Sequence, residues 1–272
     1  MYICYHGATS MAYDLDEDIR AAARAGFPAL ELWGLKFARF FQDHSIPGLA
    51  RMLERHALEP AAIDYARIDL ASDEPLAEAR RDVARYGEVA LGIGCDTLVM
   101  VVEGQRQNLS PAQAREFVAT LMVPLGDLSA RYGLRLALEP LAREPVIHTP
   151  RDVLEVAERS AVDHLGLALD LFHFYAAGGL PGDIRDLPVS RLFVVHASDV
   201  AQGAIGRLEE SDRVLPGTGV MPLRAYMEAL REIRYAGPVS VEVRSPDYAE
   251  LDPDTLASRA YASLAQYLAV AA

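Results

Sequence analysis

The sequence predicts a single α/β domain over residues 1–272, a (β/α)8 barrel, and three observations carry that prediction. Short apolar runs rich in β-formers alternate with longer helical stretches from end to end; the alternation occurs eight times; and no Gly-, Ser- or Pro-rich linker divides the chain. Strands that alternate with helices imply a parallel sheet, because each crossover must return the chain to the same edge. Eight units with no ninth strand suggest closure, and 272 residues is an ordinary length for such a barrel. A doubly wound open sheet is the alternative, and the glycine fingerprint that would support it is missing after the first run.

The strand-like runs are Tyr2–Tyr5, Ala29–Trp33, Pro60–Asp64, Thr97–Val102, Leu134–Leu138, Leu165–Leu169, Leu192–Val195 and Val239–Val241. Apolar residues at helical spacing mark Asp16–Ala25, Ala77–Leu91, Pro111–Tyr132, Met221–Ile233 and Pro253–Ala269. At 51% hydrophobic and 24% charged, the chain can bury a large core. Its formal net charge of −13 repels phosphate backbones and argues against nucleic acid as a partner. No apolar stretch approaches membrane-spanning length, and Met1-Tyr2-Ile3-Cys4-Tyr5 begins as a strand rather than a signal peptide. Cys4 and Cys95 sit in apolar runs, which suits buried, reduced thiols in a cytoplasmic protein. A homo-oligomer stays open, since no interface pattern stands out.

The chemistry is expected where the strands end, because a barrel builds its active site at the carboxyl edge of its strands. Four successive runs finish in a possible ligand: Leu-Ala-Leu-Glu139, Leu-Ala-Leu-Asp170, Phe-Val-Val-His196 and Val-Ser-Val-Glu242. Taken singly, each could cap a strand or bind a loop backbone. Taken together, three converging carboxylates would be costly to keep ionised, and a divalent cation removes that cost. Three oxygens and an imidazole suit Mn²⁺, Mg²⁺, Co²⁺ or Zn²⁺ without choosing among them.

His173, three residues past Asp170, could meet substrate or bind a loop carbonyl. Asp199 could orient His196 or cap the following segment. Arg213 opens Arg-Val-Leu-Pro-Gly-Thr-Gly; it could polarise a substrate oxygen, or pair with the flanking Glu209, Glu210 and Asp212 at the surface. His6, Asp64 and Glu103 also fall near strand ends, and Trp33 could wall a sugar ring or simply pack. Glu31 shares the side of its strand with Trp33, and no role is assigned to it. His44, His56, His148 and His164 read as surface residues. Gly217 and Gly219 could offer backbone donors, but no Gly-rich phosphate cradle accompanies them.

From Cys4-Tyr5-His6-Gly7-Ala8-Thr9 to Val241-Glu242-Val243-Arg244-Ser245-Pro246, the chain resembles the xylose isomerase-like barrel superfamily of sugar phosphate isomerases and epimerases. Gly166-Leu167-Ala168-Leu169-Asp170-Leu171-Phe172-His173-Phe174 and Asp212-Arg213-Val214-Leu215-Pro216-Gly217-Thr218-Gly219 look most like its 2-keto-myo-inositol (inosose) isomerases. The resemblance implies a TIM barrel with one divalent metal ion on Glu139, Asp170, His196 and Glu242, and it assigns His173 and Arg213 to catalysis beside Glu139 and Glu242. It implies a sugar or cyclitol hydroxyketone as substrate and proton transfer through an enediolate. Two departures stand out: His6 replaces an Asn, and Pro145 replaces the further glutamate of ketose 3-epimerases, with Glu144 one place early. A lyase of the inosose or 3-dehydroshikimate dehydratase type needs the same metal and base. An apurinic-site endonuclease would need more ligands than this chain offers, and a non-catalytic sugar-binding protein could keep the same site.

Overall fold

A computed structural model describes residues 1–202 and 207–268. In chain order its strands are β1 (Tyr2–His6), β2 (Ala29–Trp33), β3 (Glu59–Asp69), β4 (Thr97–Glu103), β5 (Arg135–Glu139), β6 (Leu165–Asp170), β7 (Leu192–Ala197), β8 (Asp199–Val200), β9 (Arg213–Val214) and β10 (Pro238–Val241). All but β8 and β9 pair in parallel and close into one barrel, in the order β1-β10-β7-β6-β5-β4-β3-β2. The helices are α1 (Leu15–Ala25), α2 (Phe37–Asp43), α3 (Ile46–Arg55), α4 (Pro75–Ile93), α5 (Pro111–Ala130), α6 (Pro150–Ser160), α7 (Leu171–Ala176), α8 (Pro181–Arg185), α9 (Leu223–Glu232) and α10 (Pro253–Leu268). Ala269, which the helical pattern included, lies outside the described residues. Among the described residues no helix is long and apolar enough to cross a membrane.

Local chemistry accounts for the helix ends. Asp14 and Glu17 form a capping box at α1, as do Ser110 and Gln113 at α5, so backbone N–H groups left over in the first turn find acceptors. Gly26 closes α1 in the left-handed region (φ 91°), which a residue without Cβ adopts at low cost.

The alternation along each strand sorts two kinds of burial. One face packs under the helices: Leu30, Leu32, Ile63, Leu136, Leu138, Leu167, Leu169, Val195 and Val239 belong to the main core. The other face turns into the barrel, where Ala62, Val99, Ala137, Ala168 and Val194 form a separate buried cluster. Two residues further along those strands, on the same inward face, stand Asp64, Val101, Glu139, Asp170 and His196. The barrel is thus filled by small apolar side chains below and polar ones above.

Three features differ from the sequence expectation. β3 runs on to Asp69 instead of stopping at Asp64, because its register against β4 shifts between Asp64 and Ala66 and pairing then resumes. Two strands beyond the eight exist as a short antiparallel ribbon, β8 with β9, outside the barrel. Short helices α2, α7 and α8 occupy connections whose periodicity is too brief to read.

Candidate metal centre

Glu139 and Asp170 are the last residues of β5 and β6, His196 is the penultimate residue of β7, and Glu242 follows β10 directly. These strands are neighbours in the barrel, so the four side chains meet. All four are buried, and their ligand atoms lie within 4.8 Å of one another. His196 Nδ1 is 3.3 Å from Glu139 Oε1, 3.3 Å from Glu242 Oε2 and 3.9 Å from Asp170 Oδ2. A single ring nitrogen carries at most one proton, so it cannot satisfy three carboxylates. Among the described residues Glu242 Oε2 has no hydrogen-bond partner.

The far side of the His196 ring decides which nitrogen faces this cluster. Nε2 lies 3.0 Å from Glu31 Oε1, and Glu31 Oε2 accepts from the Ser240 hydroxyl at 2.5 Å. A carboxylate can only accept, so the neutral ring carries its proton on Nε2 and turns the Nδ1 lone pair toward Glu139, Asp170 and Glu242. Without a metal, the cluster instead holds on to protons. Burial pushes the Glu139 carboxyl up to about 8, with Glu242 and Asp170 adding repulsion. Burial alone would lower His196, but Glu31, Glu139 and Glu242 outweigh it and hold the ring well above its ordinary value. Burial likewise opposes ionisation of Glu242, and His6, Arg213 and His196 reverse it, keeping that carboxyl well below the usual range. Three carboxylates, one of them with an orphaned oxygen, and an imidazole whose Nδ1 turns inward fit a divalent cation, which would take the place of those protons.

A buried arginine braces the cluster. Arg213 is fully buried on β9, where it donates from Nη1 to Asp170 Oδ2 at 2.7 Å and from Nε to Glu210 Oε2 at 2.9 Å. Its guanidinium carbon stands 4.2 Å from the centre of the Phe172 ring. The surface pairing entertained for it holds only for Glu210; pairing of β8 with β9 carries Arg213 inward, away from Glu209 and Asp212. His173 sits in the first turn of α7, capped by Asp170 Oδ1 at 2.9 Å. Its Nε2 is 3.3 Å from Arg213 Nη2, its Nδ1 has no partner, and burial pushes its pKa down.

Asp199 does not orient His196. Its carboxylate accepts from the backbone N–H groups of Val200, Gly217, Gly219 and Met221, fixing the loop after β9. The same bonds occupy both glycine donors, so no phosphate site exists there. Gly219 is required at that point, because a Cβ would collide with the Val200 carbonyl. Glu31, left without a role in the sequence reading, is the partner of His196. Its signal was present: a carboxylate inside Ala-Leu-Glu31-Leu-Trp must face the barrel interior and needs a partner there.

The cluster opens into a cavity of about 210 Å³ whose wall includes Asp64, Glu103, Glu139, His173, Glu242 and Arg244. Glu144 also lines it and accepts from Gly104 N–H at 2.8 Å, while Trp33 does not reach it. A larger groove of about 500 Å³ between α6, α7 and α8 contains none of these groups.

A closed parallel barrel carrying an acid–imidazole pocket at the carboxyl edge of its strands defines the class of protein. The chain belongs to the xylose isomerase-like TIM barrel family, which matches residues 19–267. It is 26% identical over 258 residues to an inosose isomerase of Halalkalibacterium halodurans, covering 93% of this chain and 92% of that one. It is 27% identical over 259 residues to an inosose isomerase of Bacillus subtilis, covering 92% of each. A 3-dehydroshikimate dehydratase of Pseudomonas aeruginosa is 28% identical over 237 residues, covering 86% of this chain and 37% of that protein. The fold superposes on a solved IolI protein with a bound zinc atom at a TM-score of 0.91, with 25% identity and 98% of each chain covered.

Proposed function

We propose that this chain is a divalent-metal-dependent isomerase of a sugar- or cyclitol-like hydroxyketone, of the inosose type, working by proton transfer through an enediolate. One observation carries the reading: three buried carboxylates surround an imidazole nitrogen whose lone pair is turned toward them by Glu31. The inosose isomerase relatives support the reaction type, and the zinc of the IolI structure supports a metal.

Glu139, Asp170, His196 and Glu242 would hold Mn²⁺, Mg²⁺, Co²⁺ or Zn²⁺. When bound, the ion supplies the positive charge that a developing enediolate requires. Glu139 and Glu242 come from non-adjacent strands and both line the cavity, so they reach a substrate carbon from different directions. One takes the proton from the hydroxyl-bearing carbon next to the carbonyl and the other returns a proton to the former carbonyl carbon, while the hydroxyl proton passes to the former carbonyl oxygen. His173 lines the cavity as a hydrogen-bonding group for a substrate hydroxyl. Arg213 sets the position of Asp170 and so acts on the reaction from behind it. The whole chain works as one barrel domain, and its two buried free thiols suit a reducing cytoplasm.

A second reading is a dehydratase on the same site, favoured by the 3-dehydroshikimate dehydratase relatives. Both begin with the same proton abstraction. The test is solvent-deuterium exchange into 2-keto-myo-inositol and a panel of ketoses, with product mass recorded. The expected result is metal-dependent exchange without mass loss beyond the label. Loss of one water would establish the dehydratase, and no exchange with any hydroxyketone would overturn the proposal.

A further inference from the structure

We propose that Asp64, held in place by His6, is a substrate-binding residue that selects a neutral polyhydroxylated ketone at this site. The inference rests on the hydroxyketone reading above and concerns the part of the site where Asp64 and His6 adjoin Glu242.

His6, Asp64 and Glu242 also bring ligand atoms within 4.8 Å of one another, which invites a second cation. The proton count forbids it. His6 Nδ1 accepts the Ala8 N–H at 2.9 Å, which spends the only lone pair of a neutral imidazole. The proton therefore sits on Nε2, and a protonated nitrogen is no ligand. That Nε2–H points toward Asp64 Oδ2 at 3.5 Å and Glu31 Oε1 at 3.7 Å, near enough for electrostatic attraction but without a formed hydrogen bond. The ring cannot swing away, because it is fully buried and its loop is pinned to β10 by Thr9, whose hydroxyl donates to the Val241 carbonyl at 2.8 Å and accepts from Val243 N–H at 3.0 Å.

With Oδ2 facing His6, Asp64 is left with Oδ1, which is buried and without a partner, while the residue lines the cavity. β3 stands across the barrel from β7, so Asp64 confronts His196 from the opposite wall. A polyol bound by its ketone at the metal corner presents a neighbouring hydroxyl to Asp64, which stands within 4.8 Å of the Glu242 ligand atom. A carboxylate oxygen accepts such a hydroxyl and repels a carboxylate or phosphate in its place. Other acids on the wall, Glu103, Glu144 and Glu210, reinforce the sign, against Arg143 and Arg244. Arg143 already meets Glu209 at 3.3 Å.

The test uses full-length, metal-loaded protein, 2-keto-myo-inositol, and deoxy analogues lacking one hydroxyl each. Asp64→Ala should keep its metal and raise KM for the full substrate by about ten- to a hundred-fold, as expected for an unmade hydrogen bond at a polar site. Removing the hydroxyl that Asp64 meets should impose a similar penalty on the wild type and none further on Asp64→Ala. Asp64→Asn, which keeps the shape and one acceptor, should recover part of the loss and should bind shikimate more tightly than the wild type does in calorimetry. The proposal is overturned if Asp64→Ala and Asp64→Asn keep wild-type KM, or if every deoxy analogue loses as much with Asp64→Ala as with the wild type. Failure of the wild type itself to exchange any hydroxyketone would instead sink the parent reading.

Discussion

Two histidines stand edge to face in the barrel with their ring centres 5.2 Å apart, and their neighbours set them to opposite tasks. His196 has a carboxylate, Glu31, behind it, so its proton points backward and its lone pair points into the acid cluster. His6 has a backbone N–H, Ala8, behind it, so its lone pair is spent there and its proton points forward at Asp64. The same side chain turns a lone pair toward carboxylates in one setting and an N–H toward them in the other. Proximity of His, Asp and Glu therefore does not define a cation site; the group on the far nitrogen does.

The largest effect should fall on proton transfer in the metal corner. Glu139→Gln and Glu242→Gln, each with metal retained, should lower solvent-deuterium exchange by about 10²–10⁴-fold, the usual worth of a positioned acid or base. Wild-type exchange in both variants would break the mechanistic assignment. Next comes the brace. Arg213→Ala removes the buried guanidinium beside Asp170 and should cost about 3–5 kcal/mol in denaturant unfolding, the penalty of stranding a buried charge.

The contrast between the histidines is sharpened by a smaller effect. Glu31→Gln should weaken metal affinity by about 10–100-fold, as loss of an orienting partner does, whereas His6→Asn should leave metal affinity unchanged. Equal losses in both variants, measured by competition with a chelator, would erase the distinction. The smallest effect is pH dependence. In metal-free protein, burial raises Glu139 from 4.5 to about 8, so its contribution to stability is complete below 4.5 and is lost as pH rises through 8. The raised His196 acts in the same direction. Metal expels these protons, so the melting temperature of metal-free protein should fall between those limits while metal affinity climbs and levels off above 8. A metal affinity independent of pH across that range would contradict the shared-proton account.

The four cluster residues were legible because each closes an apolar run, as in Leu-Ala-Leu-Glu139 and Leu-Ala-Leu-Asp170, and a barrel points such ends at one place. Glu31 was equally visible as a charge inside a strand, yet its partner was not, since strand pairing gives no distance between side chains on β2 and β7. Asp199 has the spacing of an orienting residue, but its partners are backbone N–H groups about twenty residues downstream, brought back by a chain reversal that no local pattern encodes. Arg213 was singled out in the sequence, but its burial against Asp170 was not, because two-residue strands such as β8 and β9 leave no periodicity and only their pairing turns the arginine inward. β3 was read short because Tyr65 interrupts the alternation where the register shifts.

The measurement that bears most directly on the central claim is the metal content of purified and metal-reconstituted protein, with His196→Ala as control. The account predicts one divalent ion per chain in the wild type and none in His196→Ala at the same concentration. Wild-type protein that stays metal-free after reconstitution, or a His196→Ala variant that keeps its full complement, would contradict it.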